Sequence, residues 1–131
     1  MVLLDTHALV WWLSEPSRLS AKAARAIQSA ARDDALLVSA ASILEIATLV
    51  RRKRLALLTD FDLWLNDVCC LPELRIEPVT VEIAARTGGF DDEMQGDPMD
   101  RLIAATALVL RVPLVSADGR LQALSWLQTI W

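Results

Sequence analysis

Short apolar runs alternate along this chain with longer segments in which apolar residues recur at helical spacing. The runs predict buried strands at Val2–Leu4, Leu36–Ser39, Arg75–Pro78, Val112–Val115 and Leu124–Trp131. The periodic segments predict helices at Thr6–Leu13, Ala21–Ala31, Ala41–Arg52, Asp60–Cys70, from the Thr80 cap to Gly88, and Met99–Arg111. Strands and helices that alternate in this way indicate an α/β fold with a mostly parallel sheet.

Two helices carry predictions about which side chains face the core. In the helix after the second strand, one stripe is predicted to face inward, formed by Ile43, Leu44, Ala47 and Val50. Trp11 and Trp12 are adjacent, so that one can face the core while the other points outward. The remaining tryptophans are interpreted as core or interface anchors rather than as stacking platforms for bases: Trp64, Trp126 and Trp131.

Length and composition narrow the class of protein. A chain of 131 residues is predicted to form a single domain over 1–131. Hydrophobic residues make up 54% of the chain, and the mean hydropathy is +0.37. The longest apolar runs are nevertheless much shorter than the roughly 20 residues of a membrane span, and the start lacks the pattern of a signal peptide. We therefore expect a cytoplasmic protein without a membrane partner, whose apolar excess could form an interface.

The charge of the chain argues against a protein that binds nucleic acid only by neutralising its phosphates. The net charge is −4, whereas proteins that bind nucleic acid by neutralising phosphates are usually basic. This argument is weaker against a metal-dependent nuclease, since bound cations supply positive charge at the phosphate. One basic cluster, 51–54, is equally consistent with a helix C-terminus and with a contact to RNA.

Acidic residues follow several of the predicted strands. Asp5 directly follows the first strand, and Asp118 lies shortly after Val112–Val115. Glu45 lies one turn inside the helix after the second strand, and Asp97 and Asp100 lie at the start of the last long helix. Because ligands of parallel α/β sheets bind outside the carboxyl ends of the strands, these acids could share one site.

Most of these acids also have an ordinary structural interpretation. Ser42 and Glu45 have the spacing of a capping box, and Asp97 precedes a proline as an N-cap would. Asp100 would favour the dipole of its helix, and Asp118 suits a turn with the glycine that follows it. The sequence alone leaves both interpretations open for each of these residues.

Asp5 is the hardest of the acids to explain structurally. A carboxylate at the end of a buried strand loses its hydration unless it is paired, hydrogen-bonded or bound to a metal. Several carboxylates in one place repel each other and remain ionised most easily around a cation, and incomplete sets of oxygen ligands suit Mg²⁺ or Mn²⁺. The lone His7 has no partner for a zinc site, and it either hydrogen bonds at the helix start or lines a cleft.

Four segments, in this order along the chain, resemble the motifs of PIN domains. They are Leu4-Asp5-Thr6-His7, Ser42–Ile46, the long stretch Gly96–Ala107 and Leu114–Asp118. The similarity covers essentially the whole chain and is greatest to VapC-type toxins of type II toxin–antitoxin systems. One departure is the basic segment 51–54, where relatives often have a turn led by glycine.

The resemblance implies a three-layer α/β/α Rossmann-like fold and an endoribonuclease that depends on Mg²⁺ or Mn²⁺. It implies that the catalytic carboxylates are Asp5, Glu45, Asp100 and Asp118. Of these, Asp5 and Asp100 are expected to bind the metal directly, and supporting roles are expected for Thr6, Asp97 and Ser116. The implied partners are an RNA substrate, a VapB-type antitoxin and a second copy of the chain in a homodimer. Two alternatives are a PIN nuclease of RNA processing and a non-catalytic PIN-like interaction module.

Overall fold

A computed structural model describes residues 1–90, 94 and 96–131. Asp91, Asp92 and Glu93, which the sequence predicts to lie in a loop before the last long helix, are outside the described residues. The strands are β1 (Val2–Leu4), β2 (Leu36–Ser39), β3 (Leu74–Glu77), β4 (Leu114–Val115) and β5 (Thr129–Ile130). The longer helices are α1 (Thr6–Ser14), α2 (Ala21–Arg32), α3 (Ala40–Arg51), α4 (Phe61–Cys69), α5 (Val81–Gly88) and α6 (Pro98–Leu110), and a short α7 spans Gly119–Gln122.

The five strands form one sheet in the order β3-β2-β1-β4-β5. All four neighbouring pairs are parallel, which confirms the predicted α/β class. The chain moves outward from β1 to β2 and β3 and then returns to β4 on the other side of β1. The direction of winding therefore reverses between β1 and β4, and at such a reversal the loops after the two strands diverge and leave a crevice.

Successive side chains along each strand point to opposite faces of the sheet and pack into two separate hydrophobic cores. Val2 and Leu4 point to one face, where they pack against α1, α2 and α4. Leu3 and Leu37 point to the other face, where they pack against α6 and the segment after β4. Helices thus cover both faces of the sheet, which confirms the three-layer architecture.

The structure corrects three local predictions. Ser39, not Ser42, is the N-cap of α3, because its side chain accepts a hydrogen bond from the Ala41 amide at 3.1 Å. The predicted stripe on α3 is wrong, since Leu44 is 56% exposed while Ile46 is fully buried. The last strand is much shorter than predicted, because only Thr129–Ile130 pairs with β4.

Within the described ranges, we find no helix whose length and apolar character would let it cross a membrane. Many of the apolar residues lie instead in the two cores, where the helices pack against the strands.

Candidate active site

Most of the buried polar side chains in the described part of the chain lie at one edge of the sheet. Asp5 and Thr6 follow β1, Ser39 ends β2, Ser42 lies in the first turn of α3, and Ser116 follows β4. This is the carboxyl edge, where the crevice between β1 and β4 opens. Since buried polar groups must be compensated, their concentration at one edge indicates a site rather than a packed core.

Asp5 occupies the centre of this edge. Its carboxylate caps α1 by accepting a hydrogen bond from the Ala8 amide at 2.7 Å, and the residue is only 7% exposed. Burial raises the pKa of Asp5, while hydrogen bonds from Ser116 and from the Ala8 amide partly counter the rise. The fold thus holds a carboxylate where its charge is poorly compensated.

Glu45 reaches the same edge from α3. Burial raises its pKa, a hydrogen bond from the Thr6 hydroxyl lowers it, and the nearby charge of Asp97 raises it further. The Thr6 hydroxyl also lies 3.1 Å from the Ser42 hydroxyl, in a buried contact between α1 and α3. Ser42 therefore helps to place Thr6 beside Glu45 and does not form the capping box that its spacing indicated.

Asp100 is contributed by the first turn of α6. Burial and the charges of Glu45 and Asp97 raise the pKa of Asp100 to about 6, against the opposing effect of Arg120. Asp97 caps this helix through a 2.9 Å hydrogen bond from the Met99 amide, as predicted. The site therefore concentrates negative charge that is not fully neutralised by its own side chains.

Arg120 bridges the two acids on the β4 side of the crevice. Its Nη2 lies 2.8 Å from Asp118 Oδ2 and 3.3 Å from Asp100 Oδ2, and its Nε lies 3.2 Å from Asp118 Oδ1. The hydrogen bonds that Arg120 donates to Asp118 lower the pKa of Asp118, and the same contact raises the pKa of Arg120. Asp118 is not in a simple turn, because it also caps α7 by accepting from the Arg120 amide at 2.8 Å.

The four predicted catalytic acids line one open cleft of about 660 Å³, together with Thr6 and Asp97. Ser116, the remaining predicted site residue, is buried beneath it, where its hydroxyl accepts from the Asp118 amide at 3.1 Å. The cleft is also lined by side chains that no sequence motif indicated: Trp11, Arg18, Leu49 and Arg120.

The residues of the cleft fit a hard divalent cation by their chemistry. Carboxylate oxygens from separate elements converge, the pKa values of Asp5, Glu45 and Asp100 are raised, and a guanidinium already bridges two of the acids as a cation would. Among the described residues, however, no three acidic, histidine or cysteine side chains are close enough together to hold an ion by themselves. Such a partial set suits an ion that keeps water ligands and takes others from a substrate.

Fold and site together define a class of protein: a parallel α/β/α sandwich with an acidic cleft where the winding of the sheet reverses. A model of the PIN domain family matches residues 2–127. The chain therefore belongs to the PIN domain family, which confirms the resemblance seen in the sequence.

Individual proteins agree with this assignment. Ribonuclease VapC22 of Mycobacterium tuberculosis is 38% identical over 122 residues, which are 93% of this chain and 90% of the relative. Among solved structures, VapBC2 from Rickettsia felis bound to a promoter DNA fragment is similar with a TM-score of 0.72 at 16% identity, covering 98% of this chain and 97% of that one. DNA-bound VapBC from Salmonella typhimurium is similar with a TM-score of 0.70 at 14% identity, covering 98% and 95%. At these identities the structural matches support the fold alone.

Proposed function

We propose that this chain is the toxin of a type II toxin–antitoxin pair and cleaves RNA as a metal-dependent endoribonuclease. The observation that carries the proposal is the convergence of Asp5, Glu45, Asp100 and Asp118 on one cleft in a PIN domain. The similarity to a protein named as a ribonuclease over most of both chains supports the same activity.

Asp5 and Asp100 are the residues we propose as direct ligands of a Mg²⁺ or Mn²⁺ ion. Their oxygens come from opposite sides of the crevice, from the end of β1 and the start of α6. When bound, the ion would supply Lewis acidity and neutralise charge at the phosphate. We propose supporting roles for Asp97, which caps the start of α6, and for Ser116, whose hydroxyl lowers the pKa of Asp5.

We propose Glu45 as the base in hydrolysis. Its raised pKa makes it a better proton acceptor than an ordinary carboxylate, although the nearby Thr6 hydroxyl partly counters the rise. In the proposed step Glu45 accepts a proton from a water molecule whose oxygen bonds to phosphorus. The bond from phosphorus to the leaving ribose oxygen breaks, and that oxygen takes up a proton from solvent.

We further propose a VapB-type antitoxin as the protein partner and a homodimer as the assembly. A mostly apolar groove of about 350 Å³ is lined by side chains from α1, from α4 and from the segment before α4. Leu58 in this groove is 97% exposed, and Val81 on α5 is 88% exposed. Large apolar side chains that are this exposed indicate a surface that a protein partner covers. A short reading frame of antitoxin type beside the gene would separate this proposal from a nuclease of RNA processing.

The proposal is tested by incubating the purified chain, free of antitoxin, with a panel of structured RNAs in Mg²⁺, Mn²⁺ or EDTA. We expect cleavage that requires metal and that Asp5→Asn abolishes. Asp60→Asn is the matched control, because Asp60 also caps a helix but lies outside the cleft and is exposed. It should cleave like the parent.

A chain that cleaves none of the RNAs is examined further by Mn²⁺ titration. If the parent also fails to bind Mn²⁺, the acids are structural and the nuclease proposal is wrong. Equal cleavage by the parent and by Asp5→Asn would refute the assignment of the site.

A further inference from the structure

The wall of the cleft beside the acids is aromatic and cationic. His7 and Trp11 lie one helical turn apart on α1, with ring centroids 5.7 Å apart. The guanidinium carbon of Arg18 lies 4.5 Å from the centroid of the Trp11 ring. All three side chains line the same cleft as Asp5 and Asp100.

The two adjacent tryptophans of α1 have different surroundings. Trp12 packs against the core beneath the sheet face that α1 and α2 cover. Trp11 lines the cleft instead, where its other aromatic neighbour is Trp131, at a centroid distance of 5.7 Å. The core therefore accounts for Trp12 but not for the position of Trp11.

Arg18 differs from the other arginine of the cleft in what it can bind. Arg120 is engaged by Asp100 and Asp118, whereas the acidic contact of Arg18 is with Glu15 at 4.0 Å, between two side chains that are more than half exposed. An exposed pair at that distance contributes little stability, so that Arg18 can exchange Glu15 for a phosphate at small cost.

From this arrangement we infer that His7, Trp11 and Arg18 form a subsite for single-stranded RNA, in which a nucleobase next to the cleaved phosphate stacks on the aromatic side chains. This inference rests on the proposed nuclease function and names residues that contact its substrate. We refer to these three residues as the stacking subsite.

Spacing along α1 supports the stacking subsite. Because a helix rises 1.5 Å per residue, His7 and Trp11 are offset by about 6 Å along its axis, a step similar to that between successive nucleotides of an extended strand. Asp5 lies at the start of the same helix, immediately before its first turn. A strand whose phosphate lies at Asp5 would therefore run along α1 with its next base at the rings and a following phosphate at Arg18.

The chemistry of stacking also suits a protein with a net charge of −4. Such a chain gains little from general attraction to phosphates, so that affinity must come from local contacts. Aromatic side chains bind any base through its π-face, and a guanidinium adds both a phosphate contact and cation–π attraction.

The test measures binding without cleavage, in the Asp5→Asn background. Fluorescein-labelled single-stranded RNA oligonucleotides of mixed sequence are titrated and followed by anisotropy. We expect Trp11→Leu to weaken binding about tenfold and Trp11→Phe to restore most of it, since stacking needs the ring. Trp64→Leu, which removes a half-buried tryptophan stacked on Phe61 outside the cleft, is the control and should bind like the parent.

An abasic scan of the tightest oligonucleotide separates stacking from a general loss of structure. Removing one particular base should weaken binding to the parent but change little in Trp11→Leu, because that variant has already lost the contact. Arg18→Gln should reduce the dependence of log affinity on log salt by about 0.7, the slope of one phosphate contact to a single strand.

The two proposals fail in distinguishable ways. If the parent cleaves RNA but the background protein binds none, the stacking subsite is wrong and the nuclease proposal stands; if the parent neither cleaves nor binds RNA, both proposals are wrong. If the background protein binds RNA with an affinity that is the same in Trp11→Leu, or if no abasic position couples to Trp11, only the stacking subsite is wrong.

Discussion

Asp100→Asn offers the sharpest test of the electrostatics of the site, because the substitution keeps the shape of the side chain and removes its charge. In the metal-free protein, burial and the charges of Glu45 and Asp97 raise the pKa of Asp100 from 3.8 to about 6. Between these two pH values, Asp100 therefore binds a proton more readily in the folded state than in the unfolded state. Ionisation of Asp100 must then destabilise the fold, and the variant should be more stable than the parent above pH 6.

The pKa shift sets the magnitude of this gain. A rise of about two pKa units, at 1.36 kcal/mol each, gives at most about 3 kcal/mol. The side chain is 24% exposed and faces Arg120, so that solvent and the ion pair reduce this figure. We expect a gain of about 1 kcal/mol at pH 8 after this screening and the loss of a favourable charge in the first turn of α6. The stabilising effect of a protonated Asp100 is complete below pH 3.8 and is lost as the pH rises through 6.

Urea denaturation in EDTA at several pH values between 4 and 8 measures this effect as the difference in free energy of unfolding between parent and variant. The difference should grow from pH 4 to pH 7 and then level off. Asp62→Asn is the control, because Asp62 is also an acid in the first turn of a helix but is exposed and outside the cleft. An Asp100→Asn variant that is less stable than the parent at pH 8, or a difference that is flat with pH, would refute the reasoning.

Two further predictions concern Arg120 and Ser39. Arg120→Gln should bind Mn²⁺ more tightly in calorimetric titration, because the guanidinium that competes with the ion for Asp100 and Asp118 is removed. The control Arg54→Gln removes an exposed cation outside the cleft and should leave the Mn²⁺ affinity unchanged. A weaker Mn²⁺ affinity in Arg120→Gln would contradict the competition. Ser39→Ala should lower the free energy of unfolding in urea by about 1–2 kcal/mol, because α3 loses its buried N-cap, whereas the exposed Thr59→Ala should stay within about 0.5 kcal/mol of the parent. A Ser39→Ala variant as stable as Thr59→Ala would show that the cap does not stabilise α3.

The sequence predicts the strands and helices well where one strong local signal is present. The bounds of β1 and β2 agree with the predicted ones, since each is a continuous apolar run that ends at a polar residue. The start of α2 is equally well marked, because Ser20 caps it and apolar residues recur at helical spacing from there on. The position of the acids at the carboxyl edge followed from the parallel sheet, which the alternation of elements already indicated.

The remaining features depend on contacts that no local pattern contains. Ser42 has the spacing of a capping box, but β2 pairs as far as Ser39 with Glu77, so that α3 begins directly afterwards and Ser39 is its N-cap. Arg120 had a weak signal, a cation two residues after Asp118, but its contact with Asp100 arises from the packing of α6 beside the end of β4. The outward position of Trp11 likewise follows from how α1 lies on the sheet.

The reversal of winding between β1 and β4 divides the proposed catalytic carboxylates into two half-sites on separate stretches of chain. Asp5 and Glu45 belong to the β1–α3 half, and Asp100 and Asp118 belong to the half that α6 and β4 form. Along the sheet, the seam between them is a two-residue pairing, Leu3 with Leu114 and Leu4 with Val115. All four side chains of this seam are fully buried at the centre of the sheet, where local opening is least favourable, so that the two half-sites are held together by the most protected part of the fold.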